Sequence, residues 1–428
     1  MKGALENMEM TISEKILAKA AGVTKAAAGE IYWVNVDKAM MDDILGPRVE
    51  IADNLKRENK PVWDPDKVVI VSDHYTPPAN IKQANIVKYT RDWARDNQVK
   101  NYYEFAGPCH QVMVDKGHVR PGTVVVGTDS HTTTYGALGC FSTGIGSTEM
   151  SAVLMTGQIW LKVPESIHIN WNGKLQDGVM AKDVSLRTIK ELGHAGATYK
   201  AMEYDGDTIR NMIMDERLCL SNMAVEAGAK VGMIGYDDVT AAYLKENFGI
   251  TEDFGWINSD PDASYERTLD FAAEELVPQV ACPHEVDHVK DVTQLEKTRV
   301  DQVYIGSCTG GRYHDLKMAA QLLKGRKIAS GIRVLVSPAS RDIYNQCLRD
   351  GIFNDLAEAG CTILGSTCGA CLGVHSGNIG DNEICIATTN RNFLGRMGSK
   401  SSGVYLASPL TAAASAITGY ITDPREFL

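Results

Sequence analysis

Short β-branched runs alternate with helical patterns along most of the chain, and a polar, glycine-rich loop follows nearly every run. The runs occupy 67–71 (KVVIV), 123–126 (TVVV), 300–305 (VDQVYI), 333–336 (RVLV), 362–364 and 384–387, with helical patterns at 313–323 and 342–359. Runs that are apolar on both faces need cover on both faces, which helices returning between parallel strands provide. The alternation therefore predicts an α/β fold of three α/β/α domains with mainly parallel sheets. At 428 residues the chain is long enough for several domains. Their expected spans are 1–170, 171–265 and 266–428, the first closed by a hairpin over IHINWNGKL that turns at Asn172-Gly173.

In parallel sheets, ligands collect at the carboxyl ends of the strands. SDH follows KVVIV, TDSH follows TVVVG, GSCTGG follows VDQVYI, and TTNRNFLGR follows ICIA. Each segment alone reads as a polar turn or a helix cap. Their shared position after strands points to one common site.

The net charge of -11 disfavours a nucleic-acid-binding role. No uncharged apolar run approaches the roughly 18–20 residues of a membrane-spanning helix. The N-terminal stretch is amphipathic and lacks the apolar core of a secretory signal, so a cytoplasmic location is expected. Ten cysteines in such a chain argue against a disulfide framework. Cys109, Cys140, Cys219, Cys282, Cys347, Cys361 and Cys385 stand singly and read as small buried hydrophobes.

The remaining three do not stand alone. Cys308 lies in GSCTGGR, and Cys368 and Cys371 form a C-x-x-C in GSTCGACLG. Glycine-rich loops let backbone approach a cluster closely. A lone C-x-x-C also serves zinc or a redox disulfide, and nearby His375 offers a fourth zinc ligand. Electron-transfer [4Fe-4S] clusters usually take four cysteines. Three thiolates would leave one iron without a protein ligand, able to act as a Lewis acid on a hydroxy acid.

Seven motifs then stand in order: SDH at 72–74, His110-Gln111, GTDSHT at 127–132, SNMAVEAGA at 221–229, GSCTGGR at 306–312, TCGACLG at 367–373 and TNRNFLGR at 389–396. With these motifs the whole chain resembles the aconitase superfamily. The resemblance implies one [4Fe-4S] cluster held by Cys308, Cys368 and Cys371, and reversible dehydration and hydration of a malate-type acid. It implies that Asp73 and His74 protonate the leaving hydroxyl. Asp129, His131, His110 and Glu226 would surround the cluster-bound water. Arg391 and Arg396 would clamp substrate carboxylates, and Asn390 would sit beside the cluster. Taken singly, Glu226 also reads as a structural buried acid, and the two arginines as surface ion-pair partners.

The GSSR-like motif and swivelling fourth domain of single-chain aconitases are not in this sequence. The resemblance implies a separate small subunit that carries that domain and its serine base. The short form is similar to large subunits acting on 3-isopropylmalate, homoaconitate and 2,3-dimethylmalate, with 3-isopropylmalate expected first. A metal-binding scaffold and an RNA-binding regulator are the non-enzyme alternatives. Gly310 replaces the family's usual Asn, and Cys109 precedes His110 where a small apolar residue is usual.

Overall fold

The computed structural model describes residues 9–428. The first sheet has five parallel strands in the order Asn101–Glu104, Val68–Ser72, Lys38–Asp42, Val124–Gly127, Phe141–Gly144. The second has four, again parallel, in the order Val231–Ile234, Ala201–Asp205, Ser166–Asn172, Arg267–Ala272. The third has seven, in the order Val289–Asp291, Gln279–Ala281, Gly403–Ala407, Ile384–Ala387, Gln302–Gly306, Arg333–Ser337, Thr362–Ile363. Only Gln279–Ala281 runs antiparallel to its neighbours there. An antiparallel ribbon, Ile31–Asn35 with Gln158–Lys162, completes the strands. This is the expected α/β class with mainly parallel sheets. Among the described residues no helix is long and apolar enough to cross a membrane.

The central strands VVIVS, VVVG and QVYIG are buried at every position, as β-branched runs covered on both faces should be. Helices begin where the sequence places caps. Ser340 accepts from the Ile343 N–H to start Arg341–Arg349, and Ser408 with Pro409 starts Pro409–Thr418. The middle segment lends Met214, Leu218, Val231 and Met233 to the core of the first sheet. Another core joins Ile167, Ile169 and Met202 of the middle sheet to Cys385, Ala387 and Leu406 of the third. Shared cores fix the three layers against one another.

Two expectations are corrected. The helical pattern at 342–359 is two helices, Arg341–Arg349 and Ile352–Ala359, broken where Gly351 takes φ +74°. The hairpin at Asn172-Gly173 does not form. Ser166–Asn172 lies between two parallel partners, and the chain turns at Gly173 into a crossover, its N–H donating to Asp207 Oδ1 at 2.7 Å. An Asn-Gly pair fixes a turn, but which strand comes next to it is a tertiary matter. The middle sheet therefore runs from 166 to 272.

Candidate active site

Every strand of the first sheet except the last delivers a polar group from its carboxyl end. After Val68–Ser72, the buried His74 donates from Nδ1 to Asp73 Oδ1 at 2.8 Å. Asp73 is fixed through Oδ2, which accepts the Cys109 N–H at 2.6 Å. Asp43, after Lys38–Asp42, accepts the N–H groups of His74 and Tyr75 at 3.1 and 3.0 Å, and its Oδ1 lies 3.5 Å from His74 Nδ1. Burial alone would push the His74 pKa down. The charge of Asp73 and the hydrogen bonds to Asp43 and Asp73 overcome it and hold His74 well above its ordinary value. A histidine so held is a proton donor at neutral pH.

After Val124–Gly127, Asp129 caps a 3-10 helix by accepting the His131 N–H at 2.7 Å. His110 Nε2 donates to the same oxygen at 2.9 Å, and Asp129 Oδ2 lies 3.9 Å from His74 Nε2. Burial pushes the Asp129 carboxyl up, but the charge of His110 and the bonds from both histidines hold it well below the carboxylate range. His131 Nε2 donates to Glu226 at 2.8 Å, and Glu226 accepts Arg391 Nε through both oxygens at 3.0 Å. Arg391 also donates to Ser130 Oγ at 3.1 Å. Glu226 comes from the middle segment and Arg391 from the third, so this ion pair, with His131 and Ser130 of the first, ties three layers together.

The cysteines come from the third sheet. Cys308 follows Gln302–Gly306; Cys368 and Cys371 follow Thr362–Ile363. Cys308 and Cys371 are buried, Cys368 is half-buried, and none forms a disulfide. Ser307 holds a left-handed φ of +74°, a conformation that costs about 1–3 kcal/mol. Asn222 donates to Cys308 Sγ at 3.3 Å, and Asn390 Oδ1 lies 3.8 and 3.9 Å from the Sγ atoms of Cys308 and Cys371. Asn390 also donates to Asn222, so the two amides form one bracket around the sulfurs. Burial pushes the Cys308 thiol up to about 12, whereas the hydrogen bond from Cys368 holds Cys371 well below the usual thiol range. Arg396 donates to the Cys371 carbonyl at 2.8 Å.

The two sheets meet at their carboxyl ends. The Asp73 carbonyl accepts from the Cys368 N–H at 3.1 Å and from Thr367 Oγ1 at 2.9 Å. The His74 carbonyl accepts from His375 Nε2 at 3.0 Å, while His375 Nδ1 bonds Ser376 Oγ at 2.8 Å. With both ring nitrogens engaged, His375 is a brace rather than the fourth ligand of a zinc site. A cavity of about 520 Å³ opens between the halves, lined by Asp42, His74, Asp129, His131, Arg391 and Arg396. Ile44, Leu45, Ile145, Val225 and Leu372 form apolar wall on the same cavity. The structure thus brings together all twelve residues expected from sequence, nine polar and three sulfur.

The Aconitase family (aconitate hydratase) matches residues 14–297 and 285–419. This chain belongs to the aconitase family. Three relatives of the aconitase fold or sequence fix the comparison. The 3-isopropylmalate dehydratase large subunit 1 of Methanopyrus kandleri is 48% identical over 423 residues, covering 98% of this chain and 100% of that protein. The probable methanogen homoaconitase large subunit of Methanothermobacter thermautotrophicus is 44% identical, covering 98% of each chain. The holo-form of Thermococcus kodakaraensis aconitase X shares the fold, with TM-score 0.50 over 84% of each chain at 11% identity. Aconitase family membership implies an iron–sulfur cluster. The donors fit one: three soft sulfurs with amide and cationic neighbours.

The aconitase motifs left several residues of the site without a role. Asp42 and Asp43 end the Lys38–Asp42 strand, whose sequence, KAMMD, has no β-branched residue to announce it. Burial raises the Asp42 carboxyl to about 6, and its oxygens accept the Ile44 and Leu45 N–H groups at 2.6 Å each and Thr128 Oγ1 at 2.8 Å. Asn222 lies within SNMAVEAGA, where nothing local points to a sulfur. Gly310 now has a reason: a Cβ there would meet the Thr388 side chain at 2.4 Å. Thr388 instead locks the loop, accepting the Gly306 N–H at 2.8 Å and donating to the Gly306 carbonyl at 2.9 Å. Cys109 packs at its position with its N–H on Asp73.

Proposed function

We infer that this chain is the large subunit of a 3-isopropylmalate dehydratase, a cytoplasmic hydro-lyase that moves a hydroxyl between adjacent carbons of a malate-type acid. The observation that carries the reading is full-length likeness to named large subunits, together with an imidazole–carboxylate acid at the cavity and three cysteines bonded to Asp73, Asn222 and Arg396 beside it. Cys308, Cys368 and Cys371 would hold one [4Fe-4S] cluster. When bound, that group supplies a Lewis-acidic iron without a protein ligand.

The chain's own residues do the rest. His74, kept protonated by Asp73 and Asp43, delivers its Nε2 proton to the departing hydroxyl, so that water rather than hydroxide leaves. Asp129, His110, His131 and Glu226 form an ordered polar wall that holds the water for return in the hydration half-reaction. Arg391 and Arg396 take the substrate carboxylates with planar forks. Arg391 is already aligned by Glu226 and Ser130, which lowers the ordering cost of binding. The carbon-bound proton passes to a base on a small subunit, the serine of a swivelling domain. The apolar wall of Ile44, Leu45, Ile145, Val225 and Leu372 suits a branched aliphatic substituent better than the extra carboxylate of homoaconitate.

The test is an anaerobic assay of the reconstituted chain with a small subunit, following the unsaturated intermediate by its ultraviolet absorbance. The expected result is a higher kcat/KM on 3-isopropylmalate than on homoaconitate or 2,3-dimethylmalate. Iron–sulfur loading with no turnover of any of the three would overturn the reading.

A further inference from the structure

Lys182 is 2% exposed and has no ion-pair partner among the described residues. Buried lysines are rare unless paired, because an ammonium loses its hydration on burial. The other buried lysine among the described residues obeys that rule: Lys15 meets Asp260 at 2.5 Å. Lys182 instead donates to the Thr389 carbonyl at 2.7 Å and to Met223 Sδ at 3.3 Å. It also lies in the first turn of the helix Ala181–Leu192, where the helix dipole opposes a cation. Burial, the lack of a carboxylate and the helix dipole all disfavour a positive charge here.

Its two acceptors explain the placement. Thr389 immediately precedes Asn390, and Met223 immediately follows Asn222. Those are the two amides that bracket Cys308 and Cys371. One ammonium therefore ties both arms of the bracket from behind. Burial lowers its pKa, against opposing contributions from Cys219, Glu226, Cys371 and Cys308.

Resting on the cluster assignment made above, we propose that Lys182 is the fixed counter-charge of the anionic sulfur site, a positioning residue that sets the cluster's reduction potential and its retention. A cluster bound by thiolates is anionic, and its potential follows net charge, hydrogen bonds to sulfur and solvent exposure. A buried ammonium bonded next to both amides of the bracket favours the added electron. Lys182 does not line the substrate cavity, so it acts on the reaction as a positioning residue.

The experiment is an EPR-monitored redox titration of the anaerobically reconstituted two-subunit enzyme, with iron and sulfide counted per chain, for wild type, Lys182→Gln and Lys182→Arg. Gln keeps a donor for Thr389 and loses the charge; Arg keeps the charge. The expected result is a more negative midpoint and faster iron loss in K182Q, with K182R near wild type. A folded K182Q that fails to retain a cluster that K182R retains also supports the proposal. A loaded K182Q at the wild-type potential overturns it. So do K182Q and K182R chains that fold and both lose the cluster, which would assign the role to lysine's shape. A K182Q chain that does not fold makes Lys182 a folding residue and overturns it as well. A wild-type enzyme that loads no cluster is a separate result, the failure of the cluster assignment itself.

Discussion

The carboxylate–imidazole half of the cavity and the sulfur half satisfy their polar atoms in different ways. In the first half, Asp73, Asp43 and Asp129 surround His74, and each carboxylate is tied by backbone N–H groups or a second histidine. Charge is answered by charge within a few ångströms, so this half is complete within the chain. In the second half, the sulfurs meet one another and the neutral amides of Asn222 and Asn390, and cationic Lys182 and Arg396 stand one bond network back. A neutral amide donor backed by cations is suited to an anionic guest, whereas an array of paired ions is suited to moving a proton. The comparison separates the residues proposed to bind the cluster from those proposed to use it.

Five substitutions would break or sharpen that division. The largest effect belongs to Cys368→Ser, which should abolish both cluster content and turnover; iron and sulfide analysis with the visible spectrum checks it. Retention of a full cluster would remove Cys368 from the ligand set. Next comes His74→Asn, which should lower kcat by about 10²- to 10⁴-fold while leaving the cluster spectrum intact. Loss of the cluster in this variant would blur the two halves into one.

The same half makes a prediction about pH. His74 is protonated below its raised pKa, so kcat/KM should fall as pH rises through a value above the ordinary 6.5. Asp73→Asn removes the main charge opposing burial, and the falling limb should move to lower pH. A limb that stays in place would mean another group is titrating. Arg391→Lys keeps the charge but not the fork, and a lost charge-assisted bond is worth about 1.5–3 kcal/mol. KM should therefore rise roughly 10- to 100-fold with a smaller change in kcat; steady-state kinetics on the two-subunit enzyme decide it. The smallest effect is Gly310→Asn. Its Cβ has no room beside Thr388, and overpacking of this kind costs about 1–3 kcal/mol. A lowered Tm in the cluster-free chain would separate this steric cost from any effect on the cluster.

Much of the site was legible before any coordinates. TDSH, GSCTGG and TTNRNFLGR could be placed at strand ends because β-branched runs announce strands, and parallel strands deliver ligands at one edge. Where that signal is missing, the reading failed. KAMMD is a central strand without a β-branched residue, and so Asp42 and Asp43 were passed over. The Asn172-Gly173 pair is a sound turn signal that was joined to the wrong partner strand. At 342–359 the apolar periodicity runs on across Gly351, so the break was hidden until the backbone showed its positive φ.

Sequence by itself determined the fold class, the strand-end loops and the identity of the sulfur, imidazole and guanidinium groups, because each is carried by local pattern and residue chemistry. Only the tertiary structure decided which groups face one another. It seated His74 between Asp73 and Asp43, drew Glu226 from the middle segment to Arg391 in the third, and set Lys182 behind two amides more than a hundred residues apart. The physical reason is that a hydrogen bond or an ion pair acts over a few ångströms of space. Across such separations in sequence, packing of the three layers is what brings those few ångströms about.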